Sequence, residues 1–213
     1  MTPGPYGRLG KRLVDLIASV GGLTVLSPLF ALVGLAIRRD SRGPVFFTQE
    51  RIGRHGRPFQ MVKFRTMLIL EDSVGPDGEL LDNYDRVTRV GRVLRDTSLD
   101  ELPQLINVAK GEMSLIGPRP TLAYQVERYT PEQRQRLELR PGLTGLAQVN
   151  GRNNLSWDEK IAWDISYVRS VSLWGDVKIV LRTVTTLLRR EGVAFQGHDA
   201  LSSHGESSYA AHI

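Results

Sequence analysis

The 213-residue sequence contains no cysteine. That absence excludes a disulfide framework, cysteine-ligated zinc, iron–sulfur ligation and thiol catalysis together. Histidine is scarce: His55 sits in a turn-rich stretch, and His198, His204 and His212 lie close to the C-terminus, so a histidine base or metal cluster has no support. There is no P-loop, no dinucleotide-type glycine fingerprint, no HExxH and no GxSxG. Lysine and arginine total 28 against 23 acids, a net charge of +5. The aromatics do not interleave with a basic stripe, so nucleic acid is not expected as a partner. A charged fraction of 24% with 41% hydrophobic residues is globular, and the mean hydropathy of -0.20 excludes a polytopic membrane protein. The length suits one catalytic domain with an appendage.

Long apolar runs are absent with one exception. Leu13 to Ile37, LVDLIASVGGLTVLSPLFALVGLAI, is 25 residues long with Asp15 as its only charge. About 20 apolar helical residues cover a hydrocarbon core of about 30 Å, so the run can span. Two features argue against a simple span. Arg8, Lys11 and Arg12 precede it and Arg38, Arg39 and Arg42 follow it, whereas positive residues mark only the cytoplasmic side. Ser27-Pro28 then interrupts the second half, where proline removes a backbone donor and a neighbouring hydroxyl can satisfy the freed carbonyl. The reading is a re-entrant helix-break-helix that returns to its side of entry. A kinked bitopic span, a signal anchor, and a soluble buried hairpin broken at Gly21-Gly22 stand as alternatives. Asp15 inside the run calls for a partner, and Arg12, one turn earlier on the same face, is expected to supply an ion pair.

The remainder reads as α+β, mainly helical. VFFTQERI and PFQMVKF flank Gly53 to Arg57 as a small β-hairpin, with Lys63 and Arg65 on one strand face. Residues Glu71 to Asn83 form an acidic surface loop, and a helix is expected from about Arg86 to Arg95. Ser98-Leu99-Asp100-Glu101 announces the next helix, whose body ends at Lys110 with Gly111 as the stop. Thr130 to Gln133 and Ser156 to Glu159 are further capping boxes. Leu173 to Arg190 is amphipathic and can pack in the core or lie in the lipid interface. Residues 1–42 are thus assigned to the membrane hairpin, 43–192 to a catalytic domain and 193–213 to a flexible polar tail. Either the apolar run or the amphipathic helix can pair two copies into a homodimer.

Asp100-Glu101 supports two readings. In one, Ser98 and Glu101 simply make a capping box, with acids stabilised at a helix N-terminus. In the other, the same positive end keeps Asp100 ionised and attracts phosphate, bringing a nucleophile to an anionic electrophile. Such an encounter needs a divalent cation, and oxygen ligands suit magnesium. Basic residues in loops could serve phosphate: Arg119 between Pro118 and Pro120, Arg152 beside Gly151, Arg95, and the pair Lys63 and Arg65.

In order along the chain, KRLVDL, the apolar run with LSP, FTQERIG, VKFRTM, LRDTSLDELPQLINVAKGEMSLIGPRP, RPGLTGLAQVNGRN and WDISYV resemble the bacterial sugar transferases, the monotopic phosphoglycosyl transferases that act on undecaprenyl phosphate. The resemblance runs from about Lys11 to Gly192 and looks like the minimal catalytic form. It implies that Asp100 attacks the sugar-linked phosphate of a UDP-sugar, releases UMP and holds a covalent phosphosugar, which undecaprenyl phosphate then takes up. By the same resemblance Glu101 either orients magnesium and the nucleophile or accepts a proton from the lipid phosphate. Lys63, Arg65, Arg95, Arg119 and Arg152 become candidate phosphate or uridine contacts, with Asp164 and Tyr167 as weaker ones. Ser27-Pro28 matches the family's membrane break. The implied location is the bacterial inner membrane among its lipids, with the active site on the cytoplasmic face. A membrane-anchored glycan-assembly subunit that has lost catalysis is the alternative.

Overall fold

The computed structural model describes residues 6, 10–75, 78–151 and 154–189. The first element, α1, runs from Lys11 to Asp40 without interruption and contains Pro28, a length of about 45 Å at 1.5 Å per residue. Here the expected break into two helices is corrected. Proline deprives the Thr24 carbonyl of its usual donor, and the Ser27 hydroxyl donates to that carbonyl at 2.8 Å while Thr24 Oγ1 bonds Val20 at 2.9 Å. The helix therefore passes through Ser27-Pro28 with its acceptors satisfied.

α1 is inverted relative to a soluble core helix. Asp15 and Ser19 are 3% and 0% exposed, whereas Leu13, Ile17, Val25 and Leu32 are 59% to 77% exposed. The expected Arg12–Asp15 ion pair is not formed. Arg12 donates to the carbonyls of Val108 and Ala109 at 2.6 and 2.8 Å, and Asp15 Oδ1 accepts the Leu115 N–H at 2.9 Å. The C-terminal carbonyls of a neighbouring helix draw the cation, and an otherwise unpaired strand N–H draws the anion. Lys11 reaches Asp176 at 2.6 Å. At the other end Asp40 accepts the Val90 N–H at 2.9 Å, and Val33 and Ile37 pack with Phe64 and Leu94. Both ends of α1 thus engage the same body of protein.

The hairpin appears as expected: β1 (Phe46–Ile52) pairs antiparallel with β2 (Pro58–Phe64), Phe47 opposite Lys63 and Arg51 opposite Phe59. Helix α2 (Arg89–Thr97) starts later than predicted, at a Thr88 cap whose hydroxyl accepts the Gly91 N–H. The next segment departs from the single capped helix expected from Ser98. Ser98 is left-handed (φ 57), Leu99–Glu101 is a 3-10 turn without a side-chain cap, and α3 (Gln104–Lys110) follows, stopped by Gly111 at φ 85. A parallel pair not anticipated from the sequence comes next: β3 (Ser114–Ile116) with β4 (Gly142–Thr144). Three residues are too few to show a period. Glycine is required here, because a Cβ on Gly142 would lie 2.1 Å from the Gly117 nitrogen. α4 (Ala123–Glu127), a 3-10 segment Gln133–Glu138 behind the Thr130/Gln133 box, α5 (Leu146–Val149), α6 (Trp157–Arg169) behind the Ser156/Glu159 box, and α7 (Leu173–Arg189) complete the described chain. The predicted tail lies outside the described residues.

Asn107, fully buried, ties the hairpin to α3. Its Oδ1 accepts the Val62 N–H at 3.0 Å, and its Nδ2 donates to the Gln60 carbonyl and to Glu112, both at 2.7 Å. Asn107→Ala leaves two part-buried backbone groups without their side-chain partner and should cost about 1–3 kcal/mol, measured as a lower thermal midpoint of the detergent-solubilised protein. An unchanged midpoint would show that the clamp is dispensable.

Candidate active site

Three segments converge on one carboxylate. Lys63 comes from the end of β2, Glu101 from the 3-10 turn between α2 and α3, and Arg119 from the loop after β3. Lys63 Nζ reaches Glu101 Oε1 at 2.7 Å, and Arg119 Nη2 reaches the same oxygen at 2.9 Å. Burial alone would raise the Glu101 pKa, but Arg119 and Lys63 outweigh it and hold the carboxyl well below the usual range. Glu101 therefore does not serve the helix cap; it is a fixed anion between two cations. Asp100, next to it and half-buried, has no hydrogen bond to its carboxylate among the described residues. Its pKa is raised, by burial first and by Glu101, against the opposing pull of Lys63, Arg95 and Arg119.

These groups line a cavity of about 1220 Å³, with eight basic and five acidic side chains among its described walls. Arg95 lines it and donates to Thr66 Oγ1 at 2.9 Å. Pro120 is in the wall; Pro118 is not, and its carbonyl instead accepts the Gly142 N–H at 2.8 Å. Arg65 touches the cavity, but its guanidinium donates to Pro44, Ser41 and Met67. It secures the connection from α1 to β1 rather than acting beside Lys63. Tyr167 is outside the wall, donating to Asp176 at 2.7 Å in the network that also holds Lys11. Arg152 falls outside the described residues.

Asp164 is in the wall and 1% exposed. Its Oδ2 accepts from Arg136, a residue that sequence reasoning missed and whose Nη2 also donates to the Arg119 carbonyl at 3.1 Å. This buried pair fixes the backbone from which Arg119 extends. Arg136 carried no sequence signal, being one arginine among several in a polar stretch. Arg51 and Lys160 also line the cavity and were missed. Strand alternation could have found Arg51, which shares the hairpin face of Lys63.

The donor set fits magnesium rather than a caged metal. Among the described residues no group of three or more His, Asp or Glu side chains gathers, yet magnesium takes one or two carboxylates and completes its shell with water and phosphate. The Asp100 carboxylate and Glu101 Oε2, the oxygen not engaged by Lys63 or Arg119, are the donors that suit it.

The family described as bacterial sugar transferase matches residues 6–190. The chain is 48% identical over 189 residues to the UDP-glucose:undecaprenyl-phosphate glucose-1-phosphate transferase of Caulobacter vibrioides, covering 84% of this chain and 70% of that protein. It is 45% identical over 188 residues to the uncharacterized sugar transferase EpsL of Bacillus subtilis, covering 88% and 92%. Identity to the undecaprenyl-phosphate galactose phosphotransferase of Salmonella typhimurium is 40% over 199 residues, covering 87% of this chain but 42% of that longer protein.

Burial, against the pull of Arg136, pushes the Asp164 carboxyl up to about 6 from 3.8. The folded state then holds that proton more tightly than the unfolded chain. The stability from this group is full below about pH 4 and is lost as pH rises through 6, a change of about 3 kcal/mol. Asp164→Asn has no such loss, so its stability relative to wild type should rise between pH 4 and 7 in thermal melts. A pH-independent difference would contradict the assignment.

Proposed function

The chain belongs to the bacterial sugar transferase family, and from that premise we propose that this phosphoglycosyl transferase moves a sugar phosphate from a UDP-sugar to undecaprenyl phosphate, releasing UMP. The observation that carries the reading is the Asp100 carboxylate, free of hydrogen bonds among the described residues, beside a clamped Glu101 in a cavity rich in cations. An oxygen of Asp100 attacks the sugar-linked phosphorus, and the bond from that phosphorus to the bridging oxygen breaks. UMP leaves with the electron pair, and a phosphosugar remains esterified to Asp100. An oxygen of undecaprenyl phosphate then attacks the same phosphorus and expels the Asp100 carboxylate, giving the diphosphate-linked sugar. Two steps spare two anionic substrates from meeting in one complex.

Lys63, Arg95 and Arg119 oppose the burial that would protonate Asp100, and Arg119 can follow charge on the phosphoryl oxygens. Arg119 and Lys63 lower the Glu101 pKa, which favours a role in positioning those two cations over proton transfer from the lipid phosphate. Asp100 and Glu101 Oε2 would hold magnesium, which when bound offsets repulsion between carboxylate and diphosphate.

The membrane reading rests on two inverted helices. α1 is long and apolar enough to cross a membrane, turns its polar side inward and docks at both ends on one body. α7 likewise buries Asp176 and Ile179 while exposing Leu173, Trp174, Val177, Val180, Leu181 and Val184. Apolar faces of this size suit lipid. With basic residues at both ends and both ends docked on one body, α1 would dip into the inner membrane from the cytoplasmic side, its continuous helix bent at Pro28 rather than broken, and the product would start a surface glycan.

Purified protein given a panel of UDP-sugars, magnesium and undecaprenyl phosphate should release UMP, and without the lipid it should release one UMP per enzyme in a burst. Asp100→Asn should abolish the burst and lower turnover at least about a thousandfold. Wild-type turnover in that variant would falsify the nucleophile assignment. Chelation with EDTA should stop the reaction and added magnesium restore it; indifference to EDTA would remove the metal from the scheme.

A further inference from the structure

Resting on that transferase reading, we propose that Arg51 and Lys160, with Arg119, form a second phosphate cradle in the cavity, distinct from the carboxylates at which the phosphosugar is held. Arg51 rises from β1 on the hairpin face shared with Lys63, four residues farther along in register, about 13 Å at strand rise. Its Nη2 donates to Gln49 at 2.6 Å, its Nε is buried with no hydrogen-bond partner, and no acid lies within ion-pair distance among the described residues. Lys160 projects from α6 into the same cavity and has no ion pair among the described residues either. Both sense Arg119. Burial first and then Arg119 push Arg51 down to about 10 and lower Lys160 as well.

The buried cations among the described residues are satisfied within the protein: Lys11 is paired with Asp176, Arg136 with Asp164, and Arg65 donates to Pro44, Ser41 and Met67; Arg51 and Lys160 are half-buried. The acids that could serve Arg51 and Lys160 are already engaged: Glu101, whose charge Arg51 senses, is shared by Lys63 and Arg119, and Asp164, one turn along α6 from Lys160, is paired with Arg136. Like charges gathered in a concavity without counter-ions cost stability, and a diffusible anion removes that cost. A guanidinium fork beside an ammonium suits phosphate oxygens. The reaction brings a second phosphate next to the one that is attacked. It is either the uridine-side phosphate of the donor, which leaves as UMP, or the phosphate of the lipid acceptor.

The test uses the full chain in nanodiscs as wild type, Arg51→Met, Lys160→Met and Arg51→Lys. UMP affinity is measured by calorimetry, and KM is measured for the UDP-sugar and for undecaprenyl phosphate. Each Met variant should weaken its phosphate ligand about tenfold, roughly one charge-assisted hydrogen bond, and Arg51→Lys should recover part of the loss. Weakening confined to UMP and the UDP-sugar assigns the cradle to the nucleotide; a rise confined to the lipid KM assigns it to the acceptor. Values within twofold of wild type for all three ligands overturn the proposal. If wild type turns over no UDP-sugar, the transferase reading fails separately, and inorganic diphosphate becomes the probe. Binding that is lost in the Arg51→Met/Lys160→Met double variant then supports the cradle, while no binding or equal binding overturns it.

Discussion

A single carboxylate oxygen, Glu101 Oε1, receives both Lys63 and Arg119, and the rest of the catalytic body is arranged so that these residues can meet. Lys63 arrives on a hairpin whose edge is pinned to α3 by Asn107. Glu101 sits in the turn leading into α3. Arg119 is set by the parallel pairing of β3 with β4 and by Arg136, which holds its carbonyl. Ion pairs of this kind contribute registry more than stability, since desolvation offsets much of the attraction. The outcome is that Asp100, adjacent in sequence, is held among cations without being bonded to any of them.

Much of this was legible before any coordinates. The hairpin follows from β-rich runs around a glycine turn, the α3 stop from Gly111, and the α6 start from Ser156 and Glu159; each is a local signal, and each held. The readings that changed depend on distant partners. Ser98 and Glu101 have capping-box spacing, yet Glu101 turns to Lys63 and Arg119, which local spacing does not reveal. Arg12 and Asp15 look like a self-contained pair, but each finds a backbone group about a hundred residues away. Tyr167 lies one turn from Asp164 on α6 and belongs to a different network. Arg136 is indistinguishable in sequence from its solvated neighbours and becomes special only when Asp164 is placed against it.

The two inverted helices share one pattern: each buries an acidic side chain and leaves much of its apolar surface exposed. In α1 the polar residues at positions 11, 15 and 19 follow one face with a period of four, and that face is occupied by α3, β3 and α7. Leu13, Ile17, Val25 and Leu32 are left outward, as on the exposed side of α7, while Val33 and Ile37 turn into the core against Phe64 and Leu94. A helix read as uniformly greasy is thus a scaffold for buried polar contacts, and Pro28 is accommodated because Ser27 supplies the donor that proline lacks.

The separation of these contacts along the chain also bears on the order of events during synthesis. Lys11 is made 165 residues before its partner Asp176, and Asp15 is made 100 residues before Leu115. At translation speeds of about 5–20 residues per second, Lys11 waits on the order of ten to thirty seconds for its counter-charge. α1 is therefore synthesised with its polar stripe unsatisfied, and α7 completes it. A nascent chain stalled before Asp176 carries Lys11 without its counter-charge at the head of an apolar helix.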